Sequence, residues 1–224
     1  QFDRPVEVIP CCVDLEKFKT ANEFSRREVQ AQLEIGGRRV IAYVGSFGGW
    51  YLTDEMLDFF KAARDEDPNT FFLILTQRDK EMVHDALIAR GFAERDFFAG
   101  GVTPGEIPRY LSAADVAISF IKACYSKLSS SPTKIPEYLA CGVPVIANSG
   151  VGDIDELVEK NGVGVLLDDF SPEAYLSAIK VVKELGGVDN KCRETARREF
   201  DLENVGGDRY RRMYRELISH EETE

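Results

Sequence analysis

The chain has 224 residues, of which 44% are hydrophobic and 30% charged, so it can bury the core of one large domain or two small ones. Its formal net charge of -11 argues against binding to nucleic acid or to an acidic membrane, because the field of the whole molecule repels polyphosphate. No apolar run approaches the roughly 20 residues that a membrane-spanning helix needs, and the five cysteines include no CxxC pair. We therefore expect a reducing, cytoplasmic location and neither a disulfide framework nor a zinc site.

Short apolar runs alternate with amphipathic helical patterns along most of the chain. Strands of about five apolar residues, separated by helices of about ten or more, are typical of a parallel sheet with helices on both faces. We predict a Rossmann-like, doubly wound α/β fold with a parallel sheet of about six strands. In chain order, strands are predicted at 39–45, 70–75, 96–100, 115–120, 144–148 and 162–167, and helices at 53–66, 79–91, 104–114, 133–141 and 153–161.

The chain divides into three predicted segments. An N-terminal arm or linker occupies 1–29, the Rossmann-like domain occupies 30–190, and a charged helical tail occupies 191–224. Ser171 is a suitable N-cap for a further helix, and the proline that follows it suits the first helical turn. The sequence begins with Gln1 and no signal-peptide pattern, so we expect it to be a piece of a longer protein.

Two glycine-rich loops follow predicted strands. Ligands of open parallel sheets bind beyond the carboxyl ends of the strands, which directs attention to these loops. In the first loop, Gly45, Gly48 and Gly49 permit positive φ and a close approach of the backbone around Ser46 to a phosphate or nucleoside. The loop lacks the GxGxxG spacing and the P-loop lysine, so a plain glycine-rich turn is an alternative. Gly150 lies in the second loop, after the fifth predicted strand.

The stretch SSPTKIPEYLACGVPVIA, at 130–147, leads from a serine-rich loop through a short helix into a buried strand. Ser131 suits the N-cap of that helix and Pro132 its first position, with Thr133 next in the chain. This arrangement predicts that the first N–H groups of the helix face outward, where an anion such as a diphosphate can accept from them.

Two charged residues lie in the first turn of the same predicted helix. Lys134 occupies a place where a cation is unfavourable unless an anion is near, so it is a candidate for neutralising a diphosphate. Glu137 is one turn further on, where a carboxylate can accept hydrogen bonds from two ribose hydroxyls. The alternatives are a surface ion pair between Lys134 and Glu137, and a solvated carboxylate at Glu137.

The two aromatic residues after the first glycine-rich loop, Trp50 and Tyr51, allow two interpretations. They can stack on a nucleotide base, or they can pack against a domain that this sequence lacks. We favour packing.

The segment SSPTKIPEYLACGVPVIA, followed by GVGDIDELVEKNGVGVLL, resembles the donor-binding half of GT-B glycosyltransferases, specifically the group 1 family (family 4) of retaining enzymes. VEVIPCCVDLEKF and TPGEIPRYLSAADVAIS are similar to two further segments of that family, so the resemblance covers nearly all of 6–218. It implies that this chain is one half of a GT-B architecture and binds a nucleoside-diphosphate sugar as substrate, with no tightly bound cofactor. A missing N-terminal half would bind the acceptor and provide any peripheral contact with a membrane.

The resemblance also assigns roles to individual residues. It places Glu137 on the family acid that binds the nucleotide ribose, whereas an earlier acid, usually set against the donor sugar, falls on Ser129. The basic pair that often follows the first strand is absent, so Lys134 would take over its role of stabilising the departing diphosphate. The catalytic candidates are thus Lys134 and Glu137, and no metal ligands are predicted. The candidate donor contacts are Gly45, Ser46, Gly48, Gly49, Ser131, Pro132, Thr133, Lys134, Glu137 and Gly150.

Other functions stay open at this point. A non-catalytic GT-B-like nucleotide-binding module is consistent with Ser129 and with the missing basic pair. A nucleotide-sugar epimerase or hydrolase would require more histidine and carboxylate chemistry than two distant histidines supply. A phosphoryl-accepting, flavodoxin-like regulator would require clustered acids after the early strands. If the leading interpretation holds, the chain alone binds a donor weakly and does not turn it over.

Overall fold

A computed structural model describes residues 6–221 of the chain, and it contains one six-stranded sheet. Every adjacent pair of strands is parallel, and the strand order is β3-β2-β1-β4-β5-β6. This order, with strands added outward on both sides of β1 and β4, confirms the predicted doubly wound fold. The strands are β1 Arg39–Val44, β2 Thr70–Leu75, β3 Phe97–Gly100, β4 Val116–Ser119, β5 Val145–Asn148 and β6 Gly164–Leu167.

Helices connect the strands, and further helices precede β1 and follow β6. Short 3-10 turns occur at Glu94–Asp96 and Tyr125–Lys127, and a π-helical segment spans Leu202–Gly207. The α-helices are α1 Leu15–Phe18, α2 Glu23–Gln32, α3 Thr53–Glu66, α4 Lys80–Ala89, α5 Ile107–Leu111, α6 Lys134–Ala140, α7 Ile154–Asn161, α8 Pro172–Glu184, α9 Asp189–Phe200 and α10 Asp208–Glu221.

The sheet separates two hydrophobic cores. Alternate residues of β1 point to opposite faces, so Val40 and Ala42 pack in one core while Ile41 and Tyr43 pack in the other. Helices α2, α5, α6, α7 and α9 contribute to the first core, and α3, α4 and α8 contribute to the second. All six residues of β2 are buried, which explains why its sequence, TFFLIL, is continuously apolar and not alternating.

One predicted helix is shorter than its sequence pattern indicates. The pattern at 104–114 predicts a helix, but only Ile107–Leu111 is α-helical. The carboxylate of Glu106 accepts hydrogen bonds from the backbone N–H of Thr103 at 2.9 Å and from its hydroxyl at 2.7 Å. Pro108, in the first turn of α5, has no N–H to donate to the carbonyl of Pro104, so a helix that begins at 104 would lack this bond. The two bonds to Glu106 instead fix the turn before α5.

The predicted arm and tail both contact the sheet domain. Val13 donates its N–H to the carbonyl of Phe200 at 2.8 Å and accepts from the N–H of Leu202 at 3.1 Å. Helix α9 runs through the predicted boundary between 190 and 191, and the division into three segments stays a prediction. Of the predicted arm and tail, 1–5 and 222–224 lie outside the described residues. Across 6–221, none of the helices is both long and apolar enough to cross a membrane.

Candidate functional site

The strand order reverses between β1 and β4, and the two strands separate toward their carboxyl ends. Their pairing ends with Ala42 opposite Ala117, whereas β1 stays paired with β2 as far as Val44. The hydroxyl of Tyr138, from α6, lies between the separated strands. It accepts a hydrogen bond from Val44 N–H at 2.9 Å and lies 3.4 Å from the carbonyl oxygen of Ile118, to which it donates. A crevice at such a switch point is where open α/β sheets bind ligands.

The loop after β1 has the backbone conformation that its glycines predict. Gly45, Gly48 and Gly49 all have positive φ, at 143°, 76° and 62°. The hydroxyl of Tyr43 donates to the carbonyl of Ser46 at 2.6 Å and fixes the start of the loop. At Gly45 a Cβ atom would lie only 3.1 Å from the Nζ of Lys134, so glycine is needed for the close approach of that lysine.

Lys134 is buried at the carboxyl edge, with only 6% of its surface exposed. Its Nζ donates to the hydroxyl of Tyr43 at 3.3 Å and lies 3.8 Å from the centre of the Tyr51 ring, a cation–π distance. Desolvation lowers the pKa of Lys134 to about 7, and the attraction of Glu137 only partly opposes this. The alternative of a surface ion pair with Glu137 is wrong, because Lys134 is buried and points between two tyrosine rings.

Glu137 lies one helical turn after Lys134 and is half-buried. Desolvation raises the pKa of its carboxyl, and the nearby ammonium of Lys134 partly offsets the rise. Among the described residues, none donates a hydrogen bond to the Glu137 carboxylate. Its oxygens therefore remain free to accept hydrogen bonds from ligand hydroxyls.

The predicted capping of α6 is wrong. The helix begins at Lys134, its N-cap residue is Thr133, and no side chain caps it. Pro132 therefore precedes the helix and does not occupy its first position. The hydroxyl of Ser131 instead accepts a hydrogen bond from the N–H of Cys11, at 2.9 Å. The physical reason is a contact across 120 positions of the chain, which local capping preferences cannot reveal.

The loop after β5 closes another side of the site. Gly150 has a φ of 80°, and its N–H donates to the carboxylate of Asp155 at 3.0 Å. The amide of the buried Asn148 accepts from the N–H of Ile121 at 2.8 Å and donates to the carbonyl of the same residue at 2.9 Å. These bonds join the end of β5 to the loop that follows β4.

The sequence analysis missed four residues that shape this edge. Tyr43 and Tyr138 resemble ordinary core residues in sequence, and Tyr51 was assigned to packing against an absent domain. Asn148 carries the one recognisable signal, since a polar residue that ends an apolar strand at the carboxyl edge is unusual. Trp50, which we expected to pack together with Tyr51, is 52% exposed, and the Nζ of Lys127 lies 4.6 Å from its ring centre.

Two buried hydroxyls add polar character to the same edge. Thr76, directly after β2, and Ser119, the last residue of β4, are 2% and 1% exposed. Within the described part of the chain, neither hydroxyl has a hydrogen-bond partner.

A cavity of about 400 Å³ lies between the N-terminal arm and α7, and Ser131 lines it. No group of three or more potential metal ligands occurs among the described residues.

Comparisons with known proteins agree with the fold described above. The sequence profile of the family described as glycosyl transferases group 1 matches residues 25–199. Among curated proteins, none matches the chain. HepE of Anabaena, solved in complex with UDP and glucose, superposes with a TM-score of 0.73 at 19% identity, over 93% of this chain and 56% of its own.

Two other solved structures are similar. Sucrose-phosphate synthase from Thermosynechococcus elongatus has a TM-score of 0.69 at 20% identity, over 95% of this chain and 52% of its own. A glycosyltransferase from Rickettsia africae has a TM-score of 0.73 at 17% identity, over 94% of this chain and 57% of its own. The chain thus spans little more than half the length of these proteins. Its sequence match and its fold together show that the chain belongs to the group 1 family of glycosyltransferases.

Proposed function

We propose that this chain is the donor-binding half of a retaining glycosyltransferase, which transfers a sugar from a nucleoside-diphosphate donor to a hydroxyl acceptor. The observation that carries the proposal is the buried Lys134 beside the Gly45 loop, at the point where β1 and β4 separate. The structure of HepE with UDP and glucose supports a nucleotide sugar as the ligand of this fold.

Lys134 is proposed to bind the diphosphate of the donor. Burial lowers the pKa of Lys134 to about 7, so part of the lysine population is uncharged near neutral pH before a ligand arrives. An arriving diphosphate favours the protonated form, because an opposite charge nearby raises the pKa of an ammonium group. As the bond between the anomeric carbon and the diphosphate breaks, negative charge grows on the leaving oxygen. A preorganised ammonium stabilises that charge more than it stabilises the intact donor.

Glu137 is proposed to accept hydrogen bonds from the two ribose hydroxyls. Its carboxylate lies one helical turn from Lys134, so a nucleotide can place its diphosphate on the lysine and its ribose on the acid. The backbone at Gly45, Ser46, Gly48 and Gly49 would approach the donor closely from the opposite side.

The loop before α6 and the loop after β5 are proposed to complete the donor site. Ser131 uses its hydroxyl oxygen to accept from Cys11, but its O–H can still donate to a phosphate oxygen. Pro132 and Thr133 would hold this loop against the ligand, and Gly150 would let the backbone after β5 come close to it.

The other wall of the cleft is proposed to belong to an N-terminal acceptor-binding half. Lys134 and Glu137 line neither the cavity of about 400 Å³ beside the N-terminal arm nor a second one of about 580 Å³. We propose a cytoplasmic location, with any membrane contact made through that other half.

A non-catalytic nucleotide-binding module is the second candidate function. The observation that favours it is Ser129, which is exposed and occupies the position where the resemblance places an acid against the donor sugar. A chain that had lost this acid would still bind a nucleotide through Lys134 and Glu137.

A calorimetric titration of the chain with UDP, GDP and ADP tests the donor site. We expect saturable binding of one nucleotide, weakened about tenfold by Lys134→Met and several-fold by Glu137→Gln, since each removes a charged contact. Lys180→Met and Glu173→Gln, two exposed positions of α8, are the matched controls and should leave the affinity unchanged. Unchanged binding in the Lys134 and Glu137 variants would contradict the assignment of the site.

A second measurement separates the two candidate functions. The chain joined to its N-terminal half is assayed for sugar release from the nucleotide sugar that binds. Transfer to an acceptor supports the enzyme, whereas tight nucleotide binding without any turnover supports the non-catalytic module.

A further inference from the structure

A second cavity, of about 580 Å³, lies at the amino edge of the sheet, opposite the proposed donor site. The starts of β1, β4 and β5 form one side of it, and the chain between α8 and α9 forms another. Its volume is in the range of sites that bind small molecules. Neither the family resemblance nor the proposed donor site assigns a role to this cavity.

Arg39, the first residue of β1, lines the cavity with an unpaired guanidinium. The Nε atom is buried and has no hydrogen-bond partner among the described residues. Within the same residues, its other nitrogens form neither a hydrogen bond nor an ion pair. Burial lowers the pKa of Arg39 below its usual value, as expected for a charge that lacks full compensation. The two Nη nitrogens are not buried, so they are the atoms of Arg39 that a ligand in the cavity can reach.

The two carboxylates that lie near Arg39 already pair with other cations. Asp115 and Asp67 favour its charged form through space. However, Asp115 Oδ1 accepts from Arg26 Nη2 at 2.6 Å, and Asp67 Oδ2 lies 3.8 Å from Lys183 Nζ. The planar fork of Arg39 is therefore left for a group from outside the chain.

The start of α9 adds a partial positive charge at the same cavity. Val188 and Asp189, the N-cap and first residue of this 12-residue helix, line the cavity, and no side chain caps the helix. Uncapped N–H groups and the helix dipole both favour an anion. The carboxylate of Asp189 offsets part of this charge. Arg193, one turn on, is already engaged within the chain, because its Nη1 and Nη2 atoms each donate to a backbone carbonyl at 2.8 Å.

We infer that the amino-edge cavity binds a small organic anion whose carboxylate or phosphate group pairs with the guanidinium fork of Arg39. Carboxylates and phosphates share the geometry that accepts two parallel N–H bonds from arginine. The cavity volume leaves room for the rest of a small molecule beyond the anionic group. A ligand bound here would lie at the amino edge of the sheet, whereas Lys134 lies at the carboxyl edge.

The direct test follows the side-chain Nε–H resonance of Arg39 by NMR while the chain is titrated. The probes are inorganic phosphate and malonate, with chloride at matched ionic strength as the reference. We expect a saturable shift of the resonance with phosphate or with malonate, and the probe that binds more tightly identifies the phosphate or the carboxylate class. A response no larger than that to chloride would overturn the inference. Lys134→Met should leave the titration unchanged, which separates this cavity from the donor site.

Variants of Arg39 provide an independent test by calorimetry with the same probes. We expect Arg39→Met to lower the affinity for the anion about tenfold and Arg39→Lys to lower it less, because lysine keeps the charge but loses the fork. Arg95→Met, at an exposed position outside the cavity lining, is the matched control. Equal affinity in the wild-type chain and both Arg39 variants would show an adventitious ion only, and would overturn the inference. If Arg39→Met fails to fold, Arg39→Lys and the NMR titration still decide the question.

Discussion

The two edges of the sheet differ in whether a buried or half-buried cation has a carboxylate partner. At the carboxyl edge, Lys134 is buried between the rings of Tyr43 and Tyr51 and pairs directly with no carboxylate of the described chain. At the amino edge, Arg26 pairs with Asp115 at 2.6 Å and also donates to two backbone carbonyls. Arg26 thus finds its partners within the protein, whereas Arg39 at the same edge does not.

This difference follows from the cost of burying charge. An ammonium group taken out of water without a carboxylate partner destabilises the fold, and its pKa falls as a result. A paired guanidinium instead joins distant parts of the chain, as Arg26 joins α2 to the start of β4. The comparison teaches that the carboxyl edge leaves the buried Lys134 without a carboxylate partner, at the expense of stability, whereas the amino edge mainly stabilises the fold.

Removing the carboxylate of Asp115 should have the largest effect on the free energy of unfolding. Asp115→Ala removes the partner of Arg26. It also leaves the N–H of the fully buried Val40 without an acceptor, because that N–H donates to Asp115 Oδ2 at 2.8 Å in the wild-type chain. We expect a loss of about 3 kcal/mol in the free energy of unfolding, measured by urea denaturation. Asp115→Asn keeps an acceptor and should lose clearly less. Equal losses in the two variants would show that the N–H bond contributes little.

The pH dependence of stability should reveal the uncompensated lysine. The pKa of Lys134 is 10.5 when unperturbed and about 7 in the fold, so between these values the unfolded chain binds more protons. Stability therefore rises with pH over this window, by about 2 kcal/mol between pH 7 and pH 9.

Lys134→Met is the control for this pH effect, since its stability should not show the same rise. Burial raises the pKa values of Cys141 and Tyr138, so these groups act in the opposite direction above about pH 9. Denaturation midpoints measured at pH 7, 8 and 9 for both proteins test the prediction. Parallel curves would contradict a low pKa at Lys134.

Removing one hydroxyl beside Lys134 should have a smaller effect. Tyr43→Phe deprives the carbonyl of Ser46 of its donor at 2.6 Å and Lys134 of its acceptor at 3.3 Å. We expect a loss of about 1.5 kcal/mol in the free energy of unfolding, with nucleotide affinity reduced because the glycine loop is less fixed. Tyr210→Phe, which removes an exposed hydroxyl that contacts Tyr214, should be nearly neutral. An unchanged Tyr43→Phe protein would show that the loop holds its shape without this bond.

The smallest effect is expected at an exposed ion pair of α2. Glu23 and Arg27 are four residues apart and mostly exposed, so Glu23→Ala should cost no more than about 0.5 kcal/mol. Thermal denaturation at low and high salt measures this difference. A loss comparable to that of Asp115→Ala would remove the distinction between a structural pair and a surface pair.

Sequence patterns predicted the fold well because β2, β4 and β5 are buried along their whole length. The run TFFLIL of β2 has no place except in the middle of such a sheet, and its predicted bounds of 70–75 are those observed. The pattern at 104–114 was a poorer guide, because Pro108 cannot donate the backbone bond that a helix starting at 104 needs, and α5 spans only Ile107–Leu111. Strand burial is a property of a whole segment, whereas helix ends depend on single side chains.

The candidate site was predictable only in part. The glycines of the first loop and the positions of Lys134 and Glu137 follow from residue type and from their place after strands. The capping role of Ser131 was wrong, because its hydroxyl bonds to Cys11 in the N-terminal arm. No local rule links residues so far apart, since such a contact depends on how the arm packs.

The sequence by itself determined the parallel doubly wound sheet, the glycine-rich loops and the charged residues at the start of α6. Apolar periodicity and the special backbone freedom of glycine act locally, so they can be read from a linear chain. Only the tertiary structure decided that Lys134 points between Tyr43 and Tyr51 and that Arg39 faces a cavity unpaired. Desolvation and pairing depend on which groups surround a side chain, and those neighbours come from strands and helices distant in sequence.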